Sequence, residues 1–420
     1  MTASPLAPGP RAVVLAAVLL GLLFDGFELG LMPVASLSVS KSLLGDGFTP
    51  TLGGDWFARF TAALMLGAAI GGPALGALGD RVGRTRAMGL SVLLYSIFAA
   101  AGAWVQTQEQ MLVLRFLVGL GVGGLWPNGV ALVAECWPRA SRPLVSGAMM
   151  AGLNGGILML SQLARAWPIT PDSWRWIFGL SGAPAVLGVI VLVALPESPA
   201  WLAARGAART PSPPLRELFG PGLIRITLAA VAASAVPMVG AWAASKWMIP
   251  WADKVAGTAD PDYKAVTQGW WALGATLGSF VGAQVAGRLG PRASYRWISI
   301  GAALSTVAMF QLTAPLRQSF HALVFFQGLV STLFFGWLAL YLPELFPTRV
   351  RAAGSGLAYN CGRFATAGGV LAAGALFTAL GGDYPRVGTI CAVIYALGLV
   401  VIRWIPDEPT STLDDFRRDS

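Results

Sequence analysis

From Ala12 to Val39 the chain carries only two charged residues, Asp25 and Glu28, and the rest of the stretch is apolar, small or hydroxylated. About 20 residues rising ~1.5 Å each cross a ~30 Å hydrocarbon core, so a run of this length fits a membrane-spanning helix. The stretch Asp25-Gly26-Phe27-Glu28 then sets two carboxylates one turn apart on one face. Each ionised group inside a bilayer costs several kcal/mol. Acids there add no stability of their own, so the face is expected to line a polar cavity. Two uses fit: proton or substrate handling, or a structural pair with a cation from another helix.

Composition sets the class. Of 420 residues, 55% are hydrophobic and 12% charged, with a mean hydropathy of +0.65, whereas a soluble chain carries about 25% charge. A polytopic membrane protein follows. The net charge of +9 is no nucleic-acid footprint, because the arginines cluster in short loops between apolar runs. Cys136, Cys361 and Cys391 lie in or beside those runs without metal-ligand spacing, so neither a disulfide framework nor a metal site is expected. The first run is too long for a signal peptide and is read as retained.

Twelve runs are expected to span the membrane: 12–36, 57–79, 87–105, 110–136, 144–166, 175–195, 223–250, 266–288, 297–315, 320–345, 352–380 and 387–405. Loops after the even runs carry Arg81, Arg84 and Arg86; Arg139 and Arg142; Arg205, Arg209 and Arg216; Arg288, Arg292 and Arg296; and Arg349 and Arg351. The opposite loops hold mainly Lys41, Arg165, Lys254, Lys264, Arg317 and Arg386. This positive-inside bias puts both termini in the cytoplasm of a cell with the protein in its inner membrane. The expected organisation is a tail over 1–11, a bundle over 12–195, a cytoplasmic linker over 196–222 containing Thr210-Pro211-Ser212-Pro213-Pro214, a second bundle over 223–405, and a tail over 406–420.

The halves repeat. Glu135-Cys136-Trp137-Pro138 followed by Arg142 has the spacing of Glu344-Leu345-Phe346-Pro347 followed by Arg351, and Ser146-Gly147 returns as Ser355-Gly356 at the same offset. The second and eighth runs share glycines every four positions, which lets helices pack closely in lipid. An all-α protein of two six-helix repeats with a substrate site between them is a secondary-transporter architecture.

Gly76-Ala77-Leu78-Gly79-Asp80-Arg81-Val82-Gly83-Arg84-Thr85-Arg86 resembles the signature loop between helices 2 and 3 of the major facilitator superfamily. The resemblance implies a charged cytoplasmic gate of Gly76, Asp80, Arg81, Gly83, Arg84 and Arg86, joined by the Glu135/Arg142 and Glu344/Arg351 spacings. In the second copy, Gly282 to Arg292, Gly287 stands where the Asp belongs. Trp174-Arg175-Trp176 and Pro196-Glu197-Ser198-Pro199-Ala200-Trp201-Leu202 are similar to sugar porters and organic-ion transporters. The stretch 25–28 and Gly119-Leu120-Gly121-Val122-Gly123-Gly124-Leu125-Trp126-Pro127-Asn128 resemble the aromatic acid:proton symporters. Glu28 departs from that family's second Asp, and Trp126 replaces a smaller residue. The glycine-rich run lies inside an apolar helix with no strand before it, which excludes a dinucleotide site.

Depth completes the constellation. Arg115 lies ~8 Å below the outer face and Asp25 and Glu28 ~5–9 Å below it; the resemblance implies an Arg at this point of helix 4, beside helix 1. One guanidinium against two carboxylates leaves an unbalanced negative charge that a proton removes. The alternative is a permanent helix-joining pair. Arg363 falls ~16 Å into helix 11, and the repeat maps it onto Asn154. Its planar fork suits a substrate carboxylate, the alternative being a pair with Asp25 or Glu28. Tyr359 shares its face. Lys246, with Trp242 one turn before it, either snorkels to water or serves substrate. Trp126, Trp337 and Tyr341 are stacking candidates against a plain packing role, and His321 reads as structural.

The expectation is therefore a carrier that moves a small organic anion, an aromatic or other carboxylic acid, with protons by alternating access. It needs no cofactor beyond the proton gradient, binds no nucleic acid, and works as a monomer in the lipid bilayer. Two readings compete: a sugar or organic-cation carrier, and a transport-dead receptor, against which the short tail after Pro406 argues. No nucleophile–base pair or phosphate loop suggests an enzyme.

Overall fold

The computed structural model describes residues 7–137, 142–205, 215–347 and 350–406, and every regular element among them is helical. The helices are α1 Pro8–Leu44, α2 Pro50–Val82, α3 Arg84–Ala101, α4 Gln108–Cys136, α5 Arg142–Ala166, α6 Arg175–Leu180, α7 Pro184–Ala194, α8 Pro199–Arg205, α9 Ile224–Val239, α10 Met248–Ala256, α11 Tyr263–Leu289, α12 Pro291–Gln311, α13 Phe320–Tyr341, α14 Arg351–Ala379, α15 Tyr384–Cys391 and α16 Val393–Val401. Nine helical stretches among the described residues are long and apolar enough to cross a membrane. Three more long helices, α11, α12 and α14, carry more polar residues and are not among the nine.

Helices outlast the apolar runs that predict them. The first begins at Pro8 and continues past Pro33 to Leu44, because its ends lie in polar surroundings where hydropathy falls but helical hydrogen bonds continue. Caps fix the boundaries: Thr49 accepts from the Leu52 amide at 3.1 Å, and Thr107 with Gln110 forms a capping box on α4. The expected span 223–250 is present as one helical stretch, Ile224–Ala256, but it is not a regular α-helix. After α9 it passes through a π turn, Gly240–Ala244, and a 3-10 turn, Ser245–Trp247, before α10. Pro237 and Pro250 remove backbone donors on either side of these turns. The span 175–195 likewise departs from a regular α-helix before Pro184. Of the linker, residues 206–214 lie outside the described residues, and Leu215–Phe219 forms a 3-10 turn.

Glycines set the helix contacts, and the repeat is visible in them. A Cβ on Gly67 or Gly71 of α2 would strike the Phe116 or Leu120 carbonyl of α4; on Gly274 or Gly278 of α11 it would strike Phe325 or Leu329 of α13. The halves, 8–205 and 224–404, meet chiefly where α5 packs on α11 and α2 on α14.

The apolar core divides unequally. Towards the end carrying Lys41, Lys254 and Lys264, one continuous core joins both halves: Phe57 meets Trp247 edge-on at 5.2 Å, and Trp247 stacks on Phe377 at 4.9 Å. Lys264 crosses the same seam, donating to Ser38 at 2.9 Å and pairing with Asp253 at 3.1 Å. Towards the Arg-rich end the core splits, with Val14, Val122 and Met149 in one cluster and Ala233, Phe334 and Tyr395 in another. A space opens between these clusters.

Candidate functional site: a charged cavity between the halves

The stretch 25–28 is placed by its glycine. A Cβ on Gly26 would collide with the Leu153 carbonyl of α5, and one on Gly156 with the Leu23 carbonyl of α1, so the two backbones touch there. Asp25 and Glu28 flank this contact and diverge by about 60° around the helix. Glu28 faces the interior of the first half, where its Oε2 accepts from Arg115 at 3.3 Å. Both partners are fully buried, and the guanidinium carbon lies 5.3 Å from the Phe178 ring centroid. Asp25, equally buried, lines the central cavity, and the charged groups acting on it are Arg363 and Glu28. The expected cluster of one Arg between two acids is thus a Glu28–Arg115 pair with a separate Asp25.

Across the cavity, Arg363 of α14 donates to the Ala68 carbonyl of α2 at 3.0 Å and lies 5.2 Å from the Tyr359 ring centroid. It therefore crosses the seam between halves. Asn154 of α5 crosses it too, donating to Ser279 of α11 at 3.0 Å and to its own Met150 carbonyl at 3.2 Å. Both line the cavity with Asp25, Tyr359 and Trp126. Trp126 also lines the wider space that leads on towards Ser146, Pro343 and Ser355 at the Arg-rich end.

Lys246 sits in the 3-10 turn between α9 and α10 and faces inward rather than along the outer end of a helix. It is 1% exposed. Its Nζ lies 3.2 Å from the Trp271 ring centroid and 5.8 Å from that of Trp242. Among the described residues it has no hydrogen-bond partner and makes no ion pair. A buried lysine Nζ held only against ring faces, with no counter-charge, is an attractive position for an anion. Behind it a polar network holds the geometry: Trp271 donates to Gln327 at 2.8 Å, Gln327 donates to Thr306 at 3.1 Å, and Ser245 and Tyr395 share a bond of 3.1 Å.

Not every candidate reaches the cavity. Trp337 is fully buried between α12 and α13, donating to the Pro291 carbonyl at 2.8 Å and packing on Tyr295. Tyr341 donates to the Ala286 carbonyl at 3.1 Å. Both tie helix ends together because each has a carbonyl within reach on the neighbouring helix. His321 bonds Thr267 at 3.2 Å at the opposite end, away from the cavity. Sequence reasoning missed Trp271. In Trp270-Trp271 the first ring is 43% exposed and the second 3%, and adjacent residues on a helix give no signal for which faces inward.

The gate residues assemble within the first half. Arg84 pairs with Asp80 and lies 3.5 Å from Glu135, which accepts from the Ser198 hydroxyl. The Trp201 indole donates to the Asp80 carbonyl at 3.0 Å, and the Thr85 amide donates to Glu197 at 3.1 Å. Gly83 has φ of 119°, and a Cβ there would meet the Glu197 carboxylate. Gly76 packs on Pro127; Arg81 and Arg86 point outward, Arg86 reaching the Val82 carbonyl at 3.5 Å. The expected partner of Glu135, the Arg142 side chain, lies outside the described residues. Glu344 lies in a 3-10 turn after α13, and Arg351 opens α14 with its Nε donating to the Phe346 carbonyl at 3.5 Å. Among the described residues, every side-chain partner of Asp80 and Arg84 comes from the first half.

Comparison with known proteins points one way. A family model described as Major Facilitator Superfamily matches residues 13–259. A probable 4-methylmuconolactone transporter of Cupriavidus pinatubonensis is 31% identical over 83% of this chain and 80% of its own. A cis,cis-muconate transport protein of Acinetobacter baylyi is 29% identical over 93% of this chain and 94% of its own. A 4-hydroxybenzoate transporter of Pseudomonas aeruginosa is 33% identical over 49% of this chain and 44% of its own.

Proposed function

Because the chain belongs to the major facilitator superfamily, and is thus a multi-pass membrane transporter and not an enzyme, we propose that it is a proton-coupled carrier of a small unsaturated or aromatic carboxylate. In this reading twelve helices span the inner membrane as two six-helix bundles, with the arginine-rich end and both termini in the cytoplasm. The split core towards that end then corresponds to an inward-facing state, and the shared aromatic core to a closed periplasmic side. Alternating access exchanges the two, by rocking the halves about the α5–α11 and α2–α14 seams.

One observation carries the substrate reading: a buried lysine, Lys246, aimed into the cavity with no hydrogen bond or ion pair among the described residues. Burying such a charge is costly unless something neutralises it in the working cycle. Trp126, Trp242, Trp271 and Tyr359 supply flat walls to the cavity, which suit a planar acid of the kind named for the relatives. The proton belongs at Asp25. While ionised, Asp25 competes with a substrate carboxylate for Arg363; once protonated, it leaves the guanidinium to the substrate. Glu28, held by Arg115, keeps the bundle neutral and stays outside this exchange.

The test is uptake into vesicles with an imposed pH gradient, using 4-hydroxybenzoate and cis,cis-muconate as probes. Accumulation is expected in the wild type and at least a tenfold loss in Lys246→Gln. Accumulation of amines or sugars in place of acids would contradict the reading.

A further inference from the structure

The cavity lining carries two cations and one carboxylate, and the cations stand at different depths. The Lys264–Ser38 bond levels α11 with α1 near the closed end. From Lys264 to Trp271, whose ring carries the Lys246 Nζ, α11 rises ~10 Å; from Ser38 to Asp25, which feels the Arg363 charge across the cavity, α1 rises ~20 Å. Lys246 and Arg363 are therefore separated by roughly 10 Å along the cavity. The cavity they share is walled mainly by apolar and aromatic side chains, among them Trp242, Ile157, Met150 and Leu153, with Asn154 and Thr366 as polar exceptions.

From this spacing we propose that Lys246 and Arg363 are the two ends of one slot that selects linear dicarboxylates over monocarboxylates of equal length. The inference rests on the anion-carrier reading and narrows it. Ionic hydrogen bonds of ~2.8 Å at each end leave room for carboxylates roughly 5–8 Å apart, the spread of a diacid of about five or six carbons. Charge points the same way. With protons on both Asp25 and Lys246 the lining holds two positive charges, which a dianion balances; a monoanion leaves one cation uncompensated when the site closes and water is excluded. The Glu28–Arg115 pair is neutral and does not enter the balance.

The experiment measures ligand-induced shifts in melting temperature of the purified full-length protein, titrated with succinate, glutarate, adipate and suberate and with the monoamide of each. A ligand that binds only the folded state raises the midpoint by mass action, so the titrations give affinities. The expected result is at least tenfold tighter binding of glutarate or adipate than of its monoamide, with weaker binding at both ends of the series. Lys246→Gln should bring the diacid down to the affinity of the monoamide. Equal affinity for diacid and monoamide in the wild type, or a profile flat in chain length, overturns the slot and leaves the anion-carrier reading intact. Shifts with sugars or amines and with none of the acids overturn both. The wild-type series decides the matter even where Lys246→Gln does not fold.

Discussion

Glu28 and Lys246 are each 1% exposed, yet the chain treats the two charges in opposite ways. Glu28 is closed into a pair with Arg115 inside one half, with packed side chains on every side. Lys246 stands in an irregular helical stretch between the halves, held against indole faces and facing a cavity. A paired charge fixes a bundle; an unpaired one stores free energy for a ligand to release. The difference separates structural from transporting charge in a protein where both look alike by burial.

The largest effect expected from breaking this contrast is in the paired region. Arg115→Ala leaves Glu28 uncompensated and should cost about 3–5 kcal/mol, read as lost folded yield and a lower melting point. Adding Glu28→Gln should restore most of the loss. If the single variant melts like the wild type, the pair is not what holds α1 on α4. Next comes the acid that the pair does not claim. Asp25→Asn should abolish accumulation against a gradient, by tenfold or more in vesicle uptake, while exchange of substrate across the membrane persists. Equal accumulation by this variant would move the proton elsewhere.

A smaller effect is expected at the arginine-rich end. Asp80 is 66% exposed at its side chain, and exposed pairs contribute about 0–1 kcal/mol. Because its partners lie in the first half, Asp80→Asn should loosen the 196–205 segment without opening the α5–α11 seam. Labelling of cysteines placed at Leu202 and Gly269 separates these outcomes: a change at Leu202 alone supports a clamp within one half, and a change at Gly269 supports a gate between halves.

Much of this was legible in the sequence because hydropathy, charge bias and glycine spacing are local signals. Runs of apolar residues locate the spans, and the repeated Glu-to-Arg spacing exposes the two halves. Depth arithmetic put Glu28 level with Arg115, with which it pairs, and the repeat offset matched Arg363 to Asn154, which lines the same cavity. What it could not supply was direction. Asp25 and Glu28 share a broad helical face, yet the ~60° between them is enough for Glu28 to meet Arg115 of α4 and Asp25 the cavity. The π turn at Gly240–Ala244 and the 3-10 turn after it are also invisible to a helical period, and Lys246, which lies in the second, faces the cavity instead of snorkelling. Trp337 and Tyr341 fell outside the site because carbonyls of the neighbouring helix and turn capture their polar atoms.

The most direct test of the account is a melting comparison of wild type and Lys246→Gln, each with and without carboxylate. If Lys246 is an unpaired charge kept for an anion, removing it should leave the ligand-free protein as stable or more stable, since function rather than folding retains the buried charge. The rise in melting point caused by the acid should vanish in the same variant. A ligand-free variant that melts lower than wild type and still responds to the acid would make Lys246 structural and contradict the account.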